Sequence, residues 1–466
     1  MTGARTRLER LFEPVAPHSL AVFRIAFGAI LAWEIVRFFE SGRITAYFVE
    51  PAFHFRYFGF EWVRPWPQPW LNVHFAGVGL LAALIAVGAW TRTAAALFLA
   101  GFGYVFLLEQ ARYLNHFYLV LLLALLLAWV PSDRVGSLAA WWRRRRGGGP
   151  PGAWVPRWSV LLVRGQLAIV YGFAALAKMN GDWLRGEPLR SWLRDRADLP
   201  WIGPWLAAPW AAWWFSYGGL LLDLLAPALL LLRRTRAVMF AFVVAFHLMN
   251  AALFDIGIFP WLSIAATTIF FEPDWPLRLA RRPRPRAAAP VAAAPARGRR
   301  ATVAALALWL AYQLLVPLRH FLYPGEVSWT EEGHCFSWHM KLRGKDAKAT
   351  FVVTDPDTGE RRIVDPRAEL TDWQYGKMAN RPDLILQYAH HLADRFAVVD
   401  RSGARRRPSV RAVVDCSLNG RDPQPLVDRD VDLAAQRRSL LPASWIVPLR
   451  EPLRPAWERR ALRFDE

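Results

Sequence analysis

Nine apolar segments of near-membrane length follow one another along the first two thirds of the chain, separated by short polar connections. They cover residues 18–39, 71–90, 93–109, 115–131, 158–178, 211–232, 236–254, 256–272 and 301–319. A helix of about 20 apolar residues spans the hydrocarbon core of a bilayer. The pattern therefore predicts an α-helical polytopic membrane domain with nine transmembrane helices, which we assign to residues 1–319.

The pattern changes after this region, where short β-prone segments replace the long apolar ones. Two of them, Ala349–Thr354 and Ser409–Asp415, are rich in β-branched residues and lie near turn sequences that contain Asp, Asn and Gly. Between them, apolar residues at helical spacing predict one helix over about 382–396, with Pro382 suited to its first turn. We therefore expect a β-rich, sandwich-like C-terminal domain over residues 320–466 with one packed helix.

The arginines are distributed unevenly between the two sides of the predicted helix bundle. With the N-terminus inside, the inner segments hold 21 arginines and the outer loops hold 8. Because cytoplasmic loops are enriched in Lys and Arg, this asymmetry predicts a cytoplasmic N-terminus and an extracytoplasmic C-terminal domain. Topology and contact with anionic lipid then explain the formal net charge of +20. We expect no nucleic-acid partner, and we interpret residues 147–152 and 281–300 as cytoplasmic linkers.

Lys178 is the most informative polar residue because it ends the fifth apolar segment, where a charge is costly. Counting back by sevens gives Tyr171 and then Arg164, so on a helix the three polar side chains share one stripe. Two interpretations are open at this point. The lysine can reach the membrane interface as an anchor, or it can face a polar interior and carry function.

Other apolar segments also carry polar residues, which implies a polar interior between the helices. These residues are Arg24, Glu34, Arg37, Asn115, His116, Gln166, Asp223, His247 and Asn250. We interpret Glu34 with Arg37 as a structural ion pair, and likewise Asp223 with one of the arginines. A lone histidine such as His247 is most simply a hydrogen-bonded packing residue.

Topology gives three of these residues a further meaning. In the nine-helix arrangement the fourth helix begins outside and the fifth ends outside, so Asn115, His116 and Lys178 lie at the same outer depth. We therefore expect them to meet in one cavity that faces the C-terminal domain.

Several common chemistries lack their minimum motif in this sequence. There is no HExxH or CxxC motif, no glycine-rich phosphate loop and no dinucleotide fingerprint, so we expect no metal site and no nucleotide site. The two cysteines, Cys335 and Cys416, both fall in the predicted extracytoplasmic domain, where one disulfide is permitted but not indicated. No internal repeat relates the two halves of the membrane domain, which disfavours a transporter.

Longer motifs run in order through nearly the whole chain. In the membrane domain they are Ser19–Gly28, Tyr47–Pro51, Phe55–Trp62, Val163–Gln166, Lys178–Trp183, Phe246–Asn250 and Ile256–Phe259. In the C-terminal domain they are Phe336–Trp338, Pro382–Tyr388, Ser417–Asn419 and Asp428–Asp432. Together these motifs resemble vitamin K-dependent γ-glutamyl carboxylases and their bacterial homologues with an HTTM-type membrane domain.

The resemblance implies an enzyme that oxidises a reduced naphthoquinone with O2 to its epoxide and thereby carboxylates a glutamate side chain with CO2. Its cofactor would be reduced vitamin K, as menahydroquinone or phylloquinol. In this family the lysine matching Lys178 is the base that deprotonates the hydroquinone, and the residues matching His116 and Asn115 stabilise the reacting species. The residues expected to bind the cofactor are His247, Tyr171, Arg164 and Asn250.

Physical chemistry agrees with these roles. Burial favours the uncharged form of an amine, which can accept a proton from a phenol-like hydroxyl. No side chain is basic enough to remove a glutamate γ-hydrogen, so a strong base has to arise from the cofactor in a site shielded from water. The expected partners are the bilayer, a prenylated quinol and a Glu-containing protein or peptide, and the expected location is a bacterial inner membrane.

Two alternatives remain open from the sequence. One is a quinol oxygenase or epoxidase on the same scaffold that does not carboxylate. The other is a non-catalytic membrane sensor or binding module, whose C-terminal domain recognises a ligand. The chain also departs from the animal enzymes of this family, which have a lysine pair at Ala177-Lys178 and an aromatic residue at His334.

Overall fold

The computed structural model describes residues 7–147, 154–283, 296–399 and 405–455. Most of the two predicted linkers, 147–152 and 281–300, lies outside these ranges. The described chain consists of a helical membrane domain and a smaller C-terminal domain built around an antiparallel sheet.

Nine apolar helices within the described ranges coincide with the nine predicted segments. They are α1 (His18–Glu40), α2 (Trp70–Val87), α3 (Thr91–Leu107), α4 (Asn115–Trp129), α5 (Arg157–Lys178), α6 (Pro209–Leu231), α7 (Arg236–Leu253), α8 (Phe259–Thr267) and α9 (Ala296–Leu318). Six of them, α1, α2, α5, α6, α7 and α9, are long and apolar enough to cross a membrane, whereas α3, α4 and α8 are shorter. The predicted multi-pass helical membrane domain is confirmed, while nine complete crossings remain a prediction.

Short helical segments connect or flank the long ones. They are Arg7–Arg10, Arg43–Phe48, Gln110–Arg112, Leu138–Arg145, Trp183–Arg185, Leu189–Arg194, Gly203–Ala207, Thr268–Phe270, Trp275–Leu279 and Arg319–Leu322. Two-residue strands at Pro14–Val15 and Val155–Pro156 pair antiparallel, so the chain just before α1 lies beside the chain just before α5.

Helices that follow one another in the sequence pack together, and α8 returns to contact α1. This arrangement encloses a mostly aromatic and aliphatic core. Helix α9 differs, because it contacts α5 and leaves most of its apolar surface exposed. A buried hydrogen bond of 3.1 Å from Gln166 Nε2 to Gln313 Oε1 joins α5 to α9.

The buried arginine of α1 shows how the membrane domain accommodates a charge. Arg24 is fully buried, and its guanidinium donates hydrogen bonds to backbone carbonyl oxygens. The acceptors are Ile85, Ala86, Ser132 and Gly136, at 2.5–3.2 Å. Gly88 ends α2 with φ +72°, and a Cβ there would lie 2.7 Å from the Arg24 guanidinium, so only glycine fits. Arg24 therefore joins α1 to the end of α2 and to the segment after α4.

The expected pair of Glu34 and Arg37 is present, with 2.8 Å between Arg37 Nη1 and Glu34 Oε2. Arg43, on the following short helix, lies 3.7 Å from the other carboxylate oxygen of Glu34. The carboxylate is buried, so two cations offset the cost of holding it within the helix bundle.

The C-terminal domain contains a four-stranded antiparallel sheet in the order β2-β1-β3-β4. Its strands are β1 (Lys345–Thr354), β2 (Arg361–Val364), β3 (Ser409–Leu418) and β4 (Gln424–Pro425), and its helices are Val327–Thr330, α10 (Asp372–Met378) and α11 (Pro382–Arg395). Short 3-10 turns lie at Pro366–Ala368 and Leu433–Ala435, and a two-stranded ribbon joins Val398–Val399 to Arg405–Arg406.

The predicted strands and the predicted helix of this domain are all present, and both strands extend beyond their predicted limits. The expected sandwich differs in one respect, because the layer that packs on the sheet is helix α11 rather than a second sheet. Phe351 of β1 packs its ring against Tyr388 of α11, with centroids 5.1 Å apart. Cys335 and Cys416 are both free thiols, and Cys416 is buried in this core.

The two domains share a buried polar interface. Glu109, which precedes the short helix before α4, accepts hydrogen bonds from the backbone of Phe55 at 3.3 Å and from Gln374 of α10 at 3.1 Å. Asp383 of α11 accepts from Gln110 at 2.8 Å and from Arg438 at 2.7 Å. The C-terminal domain is thus fixed over the segment that joins α3 to α4.

Candidate functional site

A cavity of about 1100 Å³ lies between the membrane helices and the C-terminal domain. Helices α4 to α8 form its inner wall, and segments of the C-terminal domain around residues 331–346, 376–381 and 419–420 close its outer side. This volume is slightly larger than that of ordinary ligand pockets. The predicted site residues that line it are Asn115, His116, Tyr171, Lys178, His247 and Asn250.

Lys178 is the last residue of α5, and its side chain is buried and directed into this cavity rather than towards lipid. Its Nζ donates a hydrogen bond of 2.6 Å to Asp223 Oδ2 on α6 and a longer one of 3.4 Å to the carbonyl of Ala174. The ring of Trp183 lies 5.4 Å from the same nitrogen. The geometry therefore does not support the interpretation of Lys178 as a membrane-interface anchor.

Asp223 corrects an expectation from the sequence. We expected it to pair with an arginine, but its partner is Lys178, and both side chains are only 6–7% exposed. No arginine takes this place among the described residues. The lysine is consequently part of a buried ion pair.

Tyr171 and His247 form a second polar group two turns below Lys178. The Tyr171 hydroxyl lies 3.3 Å from His247 Nε2 and 3.3 Å from Thr267 Oγ1 of α8. His247 is buried, yet its Nδ1 has no hydrogen-bond partner within the described ranges. A buried imidazole with a free nitrogen at a cavity wall can bind a polar group of a ligand.

Asn115 and His116 begin α4 at the opposite side of the cavity. Asn115 Oδ1 accepts a hydrogen bond of 3.0 Å from Tyr113, and its Nδ2 donates one of 3.1 Å to the backbone oxygen of His339. The His116 ring packs beside Phe259, with centroids 6.0 Å apart, and the ring of His247 lies 5.5 Å from the same Phe259. One aromatic side chain therefore separates the two histidines.

The structure places most of the predicted site residues around one cavity. Asn115, His116 and Lys178 line the same space, as expected, without a hydrogen bond between any two of them in the described chain. Asn250 also lines the cavity. Any ligand that reaches Lys178 and His116 at once would therefore have to lie across the cavity between α4 and α5.

Arg164 does not belong to this site. Its Nε donates to the carbonyl of Ile269 at 2.8 Å and its Nη2 to the carbonyl of Phe271 at 2.7 Å, and it does not line the cavity. It lies on the stripe predicted for α5, but two turns of helix beyond Tyr171 carry it past the floor of the cavity. This geometry does not support the prediction that Arg164 binds the cofactor, because its guanidinium binds the turn directly after α8 instead.

His339 is a cavity residue that the sequence did not identify. It is buried, both of its ring nitrogens lack partners in the described part of the chain, and its ring is 4.7 Å from that of His320. Burial is the main cause that lowers the pKa of His339 to about 3, so the imidazole is neutral near pH 7. The signal was available, because His339 directly follows the motif Phe336–Trp338.

The outer side of the cavity carries many cations. Those contributed by the C-terminal domain are Lys341, Arg343, Lys345, Lys377 and Arg381, whereas its carboxylates there are Glu331 and Asp346. Burial and the nearby arginines lower the pKa of Lys377 to about 8, as expected where positive charges crowd together. The excess of positive charge favours an anionic ligand at the outer end.

Comparison with known families agrees with the two-domain architecture. The HTTM domain family matches residues 12–275, which is more than half of the chain. The family described as "Vitamin K-dependent gamma-carboxylase, lumenal domain" matches residues 298–452. The second match begins at the start of α9, so the division that we predicted at residue 319 remains a prediction. No solved structure matches the chain. With both domains matched in this order, the chain belongs to the vitamin K-dependent γ-carboxylase family and has an HTTM membrane domain.

Proposed function

We propose that this protein is a membrane enzyme that couples oxidation of a reduced prenylated naphthoquinone by O2 to carboxylation of a glutamate side chain by CO2. The observation that carries the proposal is the buried amine of Lys178 on the wall of a large cavity between the membrane domain and the C-terminal domain. Family membership supports the same activity. The bound quinol, on oxidation to its epoxide, would supply the strong base that the glutamate carbon acid requires.

The cavity fits such a cofactor on its own residues. Its inner wall combines apolar side chains, such as Leu167, Val170 and Phe259, with the polar groups of Lys178 and His247. A two-ring headgroup with two oxygens needs this combination of flat apolar contact and a few placed polar groups. The unpartnered Nδ1 of His247 is one group that a ligand oxygen would satisfy.

Each inner residue has a role in this proposal. Lys178 takes the proton of the quinol hydroxyl, because its amine is the basic group on the wall. Asn115 and His116 face it from α4 and stabilise negative charge that develops in the cavity. His247 and Tyr171 position the ring from below, and Asn250 lines the same wall.

The acceptor glutamate would enter from the outer side. The cations of the C-terminal domain that line the cavity offer a carboxylate several charged donors, among them Lys341 and Arg381. We propose that this domain lies outside the cytoplasm of a bacterial cell, as the arginine asymmetry predicts. The substrate would then be a Glu-containing protein or peptide on that side.

The test is an assay of the purified protein in lipid nanodiscs with menahydroquinone, O2, labelled bicarbonate and a Glu-containing peptide. We expect the wild type to form quinone epoxide and labelled peptide together. Lys178→Ala should lower both by at least about 100-fold, the usual scale of a lost general base. The matched control is Lys348→Ala, because Lys348 is an exposed lysine of β1 that does not line the cavity, and it should leave both products unchanged.

The remaining outcomes separate the alternatives. Epoxide without labelled peptide would favour a quinol epoxidase that does not carboxylate. Full activity of Lys178→Ala would reject the assigned base. Absence of both turnover and quinol binding would reject the enzyme and leave a membrane sensor or binding module.

A further inference from the structure

The carboxylate that holds Lys178 has no other charged partner among the described residues. Asp223 lies within α6, its side chain is 6% exposed, and its Oδ2 accepts the 2.6 Å hydrogen bond from Lys178 Nζ. Asp223 also lines the cavity. A carboxylate this far from water is costly, and the lysine is the group that compensates its charge.

Three other ionisable side chains line the cavity around the pair. They are Tyr171 on α5, His247 on α7 and His339 in the outer loop. Their positions surround the pair from the neighbouring elements, and none of them supplies a second carboxylate or a guanidinium. Lys178 and Asp223 therefore gain and lose protons as one coupled pair in this part of the cavity.

This pairing creates a chemical requirement for the proposed base. An amine that donates to a carboxylate at 2.6 Å is held in the ammonium form, since the opposite charge favours it. An ammonium cannot accept a proton unless it releases one at the same time. The hydrogen bond to Asp223 Oδ2 provides the only short acceptor for that proton within the described ranges.

We propose that Asp223 is the terminal proton acceptor of a two-residue relay, in which Lys178 takes the proton of a quinol hydroxyl while passing one of its own protons to Asp223. This inference rests on the proposed function. The O–H bond of the hydroxyl and one N–H bond of Lys178 break, and a new N–H bond and the Oδ2–H bond form. Lys178 stays an ammonium, Asp223 becomes a carboxylic acid, and the negative charge remains on the hydroxyl oxygen.

The relay gives Lys178 a second task. Because it remains positively charged after the transfer, it stabilises the negative oxygen that it has just deprotonated, in a site where water does not screen the attraction. A solitary neutral lysine would also end as an ammonium, but it would have to be kept uncharged beforehand. The pair removes that requirement, since its overall charge is zero before the quinol reacts.

The test compares Asp223→Asn with Asp223→Glu and with a matched control, Glu272→Gln. Asparagine keeps an oxygen that can accept the Lys178 hydrogen bond but cannot hold the proton, whereas glutamate keeps a carboxylate. Glu272 is a carboxylate that is likewise paired with a cation, Arg236 at 2.9 Å, and it does not line the cavity. Thermal unfolding of each variant in nanodiscs establishes that it is folded.

The first measurement is an infrared difference spectrum recorded without O2 when menahydroquinone is added to the full-length protein. We expect a new carbonyl-stretch band of a protonated carboxylic acid in the wild type and in Glu272→Gln, and no such band in Asp223→Asn. A spectrum in which the quinol binds but no carboxylic acid band appears would overturn the relay while leaving the proposed function intact. Failure of the quinol to bind would overturn both.

The second measurement is the pH dependence of epoxide formation. In Asp223→Asn the amine has to lose its own proton to solvent before it can act, so we expect a loss of at least about 100-fold near pH 7 that diminishes as the pH rises. Asp223→Glu should recover part of the activity and the wild-type pH profile. An Asp223→Asn variant with the wild-type rate and profile would show that the carboxylate only positions the lysine.

Discussion

Asp182 is a single carboxylate that ties the loop after Lys178 to the C-terminal domain. Arg421 donates to its two oxygens at 2.6 and 2.7 Å, and Asn419 Nδ2 donates to Oδ2 at 2.7 Å. Burial alone would raise the pKa of Asp182, but these hydrogen bonds outweigh burial and lower it below its usual value. The carboxylate form is therefore the one that holds the domains together.

The lowered pKa of Asp182 predicts how the free energy of unfolding depends on pH. Because the pKa of Asp182 is lower in the folded protein than in the unfolded chain, its contribution is complete above the unfolded value of about 3.9 and is lost as the pH falls through the folded value. Asp182→Asn should lower the free energy of unfolding by roughly 2 kcal/mol at pH 7. Thermal unfolding followed against pH should show this difference shrinking below about pH 4.

The matched control for this variant is Asp198→Asn, since Asp198 is an exposed carboxylate in the same outer segment. It should change stability little at any pH. A difference between Asp182→Asn and the wild type that stayed constant down to strongly acidic pH would contradict the assignment.

At the level of single residues, the sequence was informative about position and less informative about partners. The order of the helices was enough to predict that Asn115, His116 and Lys178 would line one cavity. It could not identify Asp223 as the partner of Lys178, because the choice between a lysine and several arginines depends on how α5 and α6 pack. For the same reason it could not show that Arg164 lies outside the cavity, since spacing along one helix does not say which neighbour a side chain meets.

At the scale of elements, Arg164 explains how the chain directly after the short helix α8 is held. Carbonyl groups where a helix ends lack helical partners, and the guanidinium on α5 donates to those of Ile269 and Phe271 at 2.7–2.8 Å, in and just after the turn Thr268–Phe270. Helix α8, which lines the cavity through Phe259 and Thr267, is thereby fixed through the turn that follows it. The role of Arg164 is structural, and it does not touch the cavity.

We predict that Arg164→Leu destabilises the protein without weakening quinol binding. Two carbonyl oxygens would lose their charged donor, which should lower the free energy of unfolding by about 1–3 kcal/mol. Arg157→Leu, at the exposed start of the same helix, removes only a surface pair with Glu13 and should have a much smaller effect. A raised KM for the quinol with unchanged stability would restore Arg164 to the cofactor site.

The fold was predictable at this scale wherever a periodic pattern was long. All nine apolar segments contain helices, and the helix at Pro382–Arg395 and both main strands lie where the pattern placed them. The predicted sandwich-like arrangement was less accurate, because β-prone segments predict strands but do not predict which layer covers the sheet. That layer is set by tertiary packing, here of α11 on β1 and β3.

At the scale of the whole molecule, the cavity is formed by both domains together. Its inner wall comes from the helices that carry Lys178 and His247, and its outer side comes from the loop that carries His339 and Arg343. At the other end of the bundle, Arg24 binds segments that the arginine asymmetry assigns to the cytoplasm. The site therefore lies on the side where the asymmetry predicts the extracytoplasmic surface.

This arrangement gives each substrate its own route in the proposed mechanism. A prenylated quinol would come from the bilayer, and an acidic peptide from the aqueous side, where cations line the cavity. The reacting groups would meet between the two domains, where the protein excludes water. The hydrogen bonds of Asp182 and Glu109 would then matter for activity, because they hold the C-terminal domain in place at the outer side of the cavity.

The most direct test of the central claim is an electron cryomicroscopy structure of the protein with menahydroquinone bound in the absence of O2. We predict that the naphthoquinone ring lies in the cavity between α4 and α5, with one hydroxyl oxygen about 2.6–3.2 Å from Lys178 Nζ. A ring bound elsewhere, or one in this cavity whose oxygens lie beyond hydrogen-bond reach of Lys178, would contradict the account.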